Sequence, residues 1–195
     1  SWNVLTGDNS VARAAFKGLS LPTPNLLAVY HPYGRTVGDV RLLTTETELT
    51  TFLRHEFSYT FFSKPAHGAS GRNSVAVQRY DQKTDSLVLS SGENIPIEKF
   101  VKGCYPRKVL LPWECGFMFQ ECAQPHPELA EAIGKTVSGL RVVCMLPDEG
   151  PFMMRCVWKI PAGKNMTDNF HQGTTGNLAA DIDVETGKVK RVIGG

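Results

Sequence analysis

Lys64-Pro65-Ala66-His67-Gly68-Ala69-Ser70-Gly71-Arg72-Asn73 is the stretch on which the fold turns. Phe57 to Ser63, just before it, is rich in aromatic residues and Thr and reads as a β-strand. After it, Ser74 to Tyr80 sets Val75, Val77 and Arg79 against Ala76 and Gln78, the alternation of a second strand. The ten residues therefore form a loop between two strands. Gly68 and Gly71 allow positive φ and close approach of a ligand, and successive N–H groups in such a turn can form an anion-binding nest. Lys64 leads in, and Arg72 and Asn73 follow. That chemistry suits a phosphate. It is no Walker-type loop, since no Gly-Lys-Ser/Thr closes it and no helix follows. A plain glycine-rich hairpin with solvated cations fits the same ten residues, so the rest of the chain has to decide.

The chain has 195 residues, 42% of them hydrophobic, enough for one large domain or two small lobes with a real core. No run reaches the ~18 to 20 apolar residues of a membrane helix, and no signal peptide opens the sequence. The expectation is a soluble, cytoplasmic protein without membrane contact. A net charge of +2 with both signs interspersed gives no field that argues for nucleic acid. Cys104, Cys115, Cys122, Cys144 and Cys156 are odd in number, widely spaced and free of any C-x-x-C pair, so buried reduced thiols are expected rather than zinc or disulfides. Ser1 and Gly194-Gly195 read as cut ends of a longer protein. Oligomeric state has no signal here.

Along the chain, Gly7-Asp8-Asn9-Ser10 offers an N-cap to a helix over Val11 to Lys17, closed by Gly18. Leu21-Pro22-Thr23-Pro24 is an extended link, followed by a short strand over Leu26 to His31. A second helix runs over Thr44 to His55, with Thr45 or Thr47 as cap and Leu49, Phe52 and Leu53 on one face. Past the loop and its return strand, Ser86 to Ser90 completes a three-stranded antiparallel meander, and Ile97 to Cys104 reads as a helix. Pro106 to Trp113 has no clear assignment. Phe117 to Glu121 is a compact strand, and Pro127 starts a helix with Leu129, Ala130 and Ile133 facing inward. Leu140 to Met145 pairs with Phe152 to Trp158, and Asn177 to Val184 pairs with Lys188 to Ile193 across Glu185-Thr186-Gly187.

This order resembles the ATP-grasp superfamily, most closely its sugar-transfer-associated members and the related α-L-glutamate ligases. The resemblance is carried by Leu21-Pro22-Thr23-Pro24, Lys64-Pro65 through Arg72, Gln120-Glu121, His126-Pro127-Glu128-Leu129, Leu140-Arg141-Val142-Val143, Asp168-Asn169-Phe170 and Asp181 through Gly187. It implies an α+β fold of two lobes with antiparallel sheets and a nucleotide cleft between them. Residues 1–56 would form an N-terminal helix-strand-helix and linker, 57–122 the small lobe with its glycine flap, and 123–195 an incomplete large lobe.

The resemblance also implies roles. Lys64 would hold α/β phosphate oxygens, while His67, Gly68, Ala69, Ser70, Gly71 and Asn73 fold over the phosphates as a flap. Gln120 and Glu121, with the backbone of Cys122 and Ala123, would read adenine and ribose. Arg141, an arginine in an apolar strand, either points to solvent or is kept for a bidentate anion contact. Asn169 resembles a residue lining the phosphate and acceptor side, where Lys159 adds a charge, and His126 supports a helix start. Asp181, Asp183 and Glu185 share one strand face and invite a metal reading, but a solvated face leading into a turn is preferred, and no metal ligand is assigned.

Related enzymes often place a phosphate-binding lysine where Asn9 or Ser10 stands. Its loss would weaken binding by roughly 1.5 to 3 kcal/mol unless Arg13 or Lys17 replaces it. The expected activity is an ATP-dependent carboxylate–amine ligase working through an acyl-phosphate, with ATP and Mg²⁺ as cofactors and small-molecule carboxylate and amine substrates. This chain by itself is expected to bind ATP weakly and to turn nothing over. The alternative is a non-catalytic nucleotide-binding or scaffold module of the same fold.

Overall fold

The computed structural model describes residues 7–35, 38–56, 60–68, 71–104 and 115–194. They fall into two compact units, Ser1–Cys122 and Ala123–Gly195.

The first unit opens with helix α1 (Asn9–Gly18), capped by Asp8, whose carboxylate accepts from the N–H groups of Ser10 and Val11. The prolines at 22 and 24 bias the residues before them away from the helical region, and strand β1 (Leu26–Tyr30) follows the link that they stiffen. After β2 (Leu42–Leu43), helix α2 (Glu46–His55) begins with a complete capping box between Thr45 and Glu48. Strands β3 (Phe61–Pro65), β4 (Val75–Asp81), β5 (Ser86–Leu89) and β6 (Asn94–Pro96), helix α3 (Ile97–Cys104) and strand β7 (Phe117–Glu121) complete the unit.

Its seven strands form one sheet in the order β2-β1-β7-β3-β4-β5-β6, antiparallel apart from the two-residue β1/β2 pair. Residues 1–56 thus contribute β1 and β2 to the sheet that holds the glycine loop. The last strand in sequence, β7, lies between β1 and β3 at its centre. Phe119 of β7 is fully buried, with Phe52 of α2, Phe61 of β3 and Phe100 of α3 around it at ring-centroid distances of 5.7, 5.9 and 6.5 Å. Apolar faces of two helices close on one sheet face, the usual solution for burying amphipathic elements.

Several expectations change here. The strand expected from Phe57 begins at Phe61, and residues 57–59 lie outside the described residues. The alternation expected over Ser74 to Tyr80 fails at a register shift between Val77 and Arg79, which buries Ala76 and Val77 together and exposes Gln78 and Arg79 together. The expected three-stranded meander gains β6 as a fourth strand, three residues being too short for a visible period. Pro106 to Trp113 lies outside the described residues.

The second unit has helix α4 (Pro127–Ile133), strands β8 (Gly139–Met145) and β9 (Phe152–Ile160), a tight turn at His171–Gly173, and strands β10 (Leu178–Ile182) and β11 (Val189–Ile193). The sheet is antiparallel in the order β11-β10-β9-β8. Leu129, Ala130 and Ile133, expected to face inward, are not buried: the 3.6-residue period puts side chains on one face without saying what presses on it. Along β8 everything from Leu140 to Met145 is exposed, Leu140 by 64%.

Asp181, Asp183 and Glu185 do not share a strand face either. The register shifts after Asp181 and the strand stops at Ile182, so Asp183 starts the turn. No helix among the described residues is long and apolar enough to cross a membrane.

Candidate functional site

Lys64 is the fourth residue of β3 and pairs with Met118 of β7. The β4 ladder stops one residue earlier, at Ser63 paired with Val75, because the chain leaves the sheet for the glycine loop. Lys64 therefore sits where the sheet opens. Its side chain is half-buried, and burial pulls its pKa below the ordinary lysine value. Among the described residues no carboxylate or other acceptor is paired with it, although seven other Lys or Arg side chains form ion pairs with Asp or Glu. A cation taken partly out of water with no acceptor costs free energy in the unliganded protein. An anion beside the ammonium group would offset that cost.

The loop beyond it is partly described. Ala69 and Ser70 of the expected flap lie outside the described residues. Gly71 and Asn73 take left-handed backbone, at φ 67° and 57°, and the N–H of Ser74 closes the turn on the Gly71 carbonyl at 3.2 Å. Gly68, at φ 159°, is close to extended, so the tight part of the loop lies at 71–73 rather than being shared by both glycines. His67 is exposed and bridges Asp8.

On the neighbouring strand, Gln120 pairs with both Leu26 and Phe62, so β1 and β3 flank it. The Glu121 N–H donates to the Asn25 carbonyl at 2.9 Å, and its carboxylate accepts from Asn25 Nδ2 at 2.9 Å. That contact leaves the second Glu121 oxygen as a free acceptor site of the right kind for a hydroxyl. Cys122 is half-buried, which pushes its thiol pKa up, and Ala123 is exposed. Lys64, Gln120 and Glu121 thus belong to one sheet, the loop and Cys122 belong to the same unit, and Ala123 falls in the second unit.

The remaining expected residues belong to the second unit. Arg141 is exposed on β8 opposite Val157, with no ion-pair partner among the described residues. Lys159 of β9 is ion-paired with Asp168 at 2.8 Å, so the extra charge expected there is already balanced. Asp168 Oδ2 lies over Gly139, where an added Cβ would come within 2.5 Å of it and the carboxylate would have to shift. Asn169 Nδ2 reaches Thr167 Oγ1 at 3.3 Å. His126 caps α4 without a side-chain hydrogen bond.

Asn177 has no role in the sequence reading, yet it organises this loop. It is 1% exposed. Its Nδ2 donates to the carbonyls of Thr167 and Asn169, and its Oδ1 accepts from the Ala162 N–H and from Asn165 Nδ2. All four hydrogen-bonding positions of the amide are filled. An asparagine between Gly176 and β10 gives no local signal of this, since every partner of its side chain is eight or more residues away.

Carboxylates that invited a metal reading are engaged as well. Asp183 accepts from the N–H groups of Glu185 and Thr186 and from the Thr186 hydroxyl, and it pairs with Lys190 at 2.8 Å. Lys190 and the turn hold its carboxyl well below the usual carboxylate range. Asp181 faces Arg155 at 3.6 Å. No group of three or more His, Cys, Asp or Glu among the described residues can hold a metal ion. The described residues thus offer no all-protein cage for Mg²⁺.

A partly desolvated lysine thus ends a central strand, with a left-handed turn after it and a polar strand end beside it, in an α+β chain. The chain belongs to the sugar-transfer associated ATP-grasp family, whose model matches residues 8–193. Comparison with curated proteins and with solved structures returned no match. Membership supports ATP binding and, in general terms, an ATP-dependent, ligase-type function.

Proposed function

We propose that this chain is the ATP-binding region of a carboxylate–amine ligase that works through an acyl-phosphate. A substrate carboxylate oxygen attacks the γ-phosphorus and ADP leaves. The amine then attacks the acyl carbon, loses a proton and expels phosphate. The observation that carries the reading is Lys64, half-buried, pushed down in pKa and without an acceptor among the described residues.

In this reading Lys64 holds α/β phosphate oxygens as a point charge, with Gly68, Gly71 and Asn73 closing over them. Gln120, the free oxygen of Glu121 and the backbone at 122–123 read the nucleoside. Arg141 and Asn169 serve the transferred phosphoryl group, and Lys159 joins them only on leaving Asp168. The protein contributes position and charge rather than covalent chemistry. Substrates are a small carboxylate and a small amine, and the setting is the cytoplasm.

Calorimetric titration of the 195-residue chain with ATP, with and without Mg²⁺, tests it. Lys64→Met is expected to weaken binding about tenfold or more, the size of one lost charge-assisted contact. The same change removes an unpaired desolvated charge, so thermal stability without nucleotide should rise. Equal ATP affinity in wild type and Lys64→Met would end this reading.

A second reading, a non-catalytic nucleotide-binding or scaffold module, draws support from Asn9. Its side-chain amide donates to the Pro65 carbonyl at 3.1 Å and is thereby engaged away from any phosphate. Arg13 has its Nε on the Pro24 carbonyl at 3.3 Å, and Lys17 lies ~12 Å further along the helix. Hydroxylamine trapping separates the two: an active ligase yields a hydroxamate from a candidate carboxylate and ATP, and a scaffold yields none.

A further inference from the structure

The three residues after Lys64 are tied to the start of α1. Asn9 Nδ2 donates to the Pro65 carbonyl at 3.1 Å, the Asn9 N–H donates to the Ala66 carbonyl at 2.8 Å, and Asp8 bridges His67. Ala66 also donates its N–H to Gly116 at 2.9 Å, and its side chain is buried against Val29 and Met118. These bonds begin where the β4 ladder ends, at Ser63.

The helix start is itself fixed. Asp8 is 4% exposed and ion-paired with Arg35 at 2.7 Å. Burial would raise its pKa, but the Ser10 hydroxyl, the N–H groups of Val11 and Ser10 and the Arg35 charge together hold it below the ordinary carboxylate value. The N–H groups of Arg35 and Tyr33 both donate to His31 Nδ1 at 3.2 Å, just past the end of β1.

We infer that Asn9 is a positioning residue for Lys64 and the glycine turn, clamping the strand end that has lost its β4 neighbour. This rests on the reading of Lys64 as a phosphate ligand. A strand end with one neighbour frays and hydrates. Held by Asn9, it keeps the ammonium group partly desolvated and pointed before nucleotide arrives, so less order has to be created on binding. The position does its work through the carbonyls of 65 and 66 instead of through the ligand.

Asn9→Pro removes both donors and spares the helix. Residue 9 is the first helical position, where proline is favoured, and Asp8 already has the extended backbone (φ −109°, ψ 108°) that precedes proline. Asn9→Ala removes the side-chain donor alone. Two measurements are made on the full chain with far-UV circular dichroism as a check of folding. One is the pH dependence of Lys64 acylation by an amine-reactive ester, read at that residue by mass spectrometry without nucleotide. The other is ATP affinity.

The midpoint of Lys64 acylation should rise towards that of an ordinary lysine in the order wild type, Asn9→Ala, Asn9→Pro. ATP affinity should fall about threefold and then about tenfold in the same order, as expected for one and two hydrogen bonds. An unchanged Lys64 midpoint in Asn9→Pro overturns the clamp whatever ATP does, and if Asn9→Pro fails to fold, an unchanged midpoint in Asn9→Ala does so. If wild type binds no ATP while the midpoint still moves, the nucleotide reading falls and the clamp stands.

Discussion

The two units are held together by different physics. In Ser1–Cys122, α2 and α3 set Phe52 and Phe100 against a fully buried Phe119 in the middle of a seven-stranded sheet. In Ala123–Gly195, β8 is exposed along most of its length, and the only buried side chain with four hydrogen-bond contacts to its loop among the described residues is an amide, Asn177. Packing is non-directional and spreads over many contacts, whereas a buried amide depends on a few oriented partners. The unit that holds Lys64 should therefore be the stiffer, and the loop carrying Asp168 and Asn169 the more readily opened.

The largest effect that tests this contrast is Phe119→Ala, expected to cost about 4 kcal/mol in chemical denaturation. Leu140→Ala on exposed β8 should cost well under 1 kcal/mol. Equal losses would mean that β8 is covered in solution, and the contrast would break.

Asn177→Ala comes next. It strands the Ala162 N–H and two carbonyls, for about 2 to 3 kcal/mol. Hydrogen exchange should quicken across residues 162–177 and stay unchanged in β3 and β7. A spread of the effect into the first unit would contradict the separation.

Within the first unit, acid should act through His31. It is 3% exposed, and burial first, then the Arg35 charge, hold its pKa below the ordinary value of 6.5. The unfolded chain then binds the proton that the folded one refuses. This contribution is flat above pH 6.5 and is lost as pH falls from there towards the lower folded value, at up to about 1.4 kcal/mol per pH unit. Urea midpoints at pH 7.5 and 5 measure it, and His31→Gln should flatten that part of the profile. The smallest effect is Lys102→Ala, which breaks an exposed ion pair with Glu98 on α3 and should leave the melting temperature unchanged.

Much of the fold was legible because its signals are local. Thr45 was one of two cap candidates and is the cap, and the turn after Asp183 ends at Gly187, within five residues. Ile97 to Cys104 shows its helical face directly and forms that helix. The bulge after Val77 was not legible, because an extra residue in one strand is visible only against its partner. Of the candidate site, Lys64 and its glycine turn could be named from type and order, and their place beside β7 could not.

The sequence by itself determined the longer helices and strands and that a lysine precedes a glycine loop, since hydrophobic period, caps and turn residues act over a few positions, whereas the short strands β2 and β6 left no period to read. Only the tertiary structure decided that Asn9 would hold Pro65 and Ala66, that His31 would be buried beside the Asp8–Arg35 pair, and that Asn177 would find all its partners. Asn9 and Pro65 are 56 residues apart. Hydrogen bonds at that distance depend on where whole elements pack, and no local pattern carries that information.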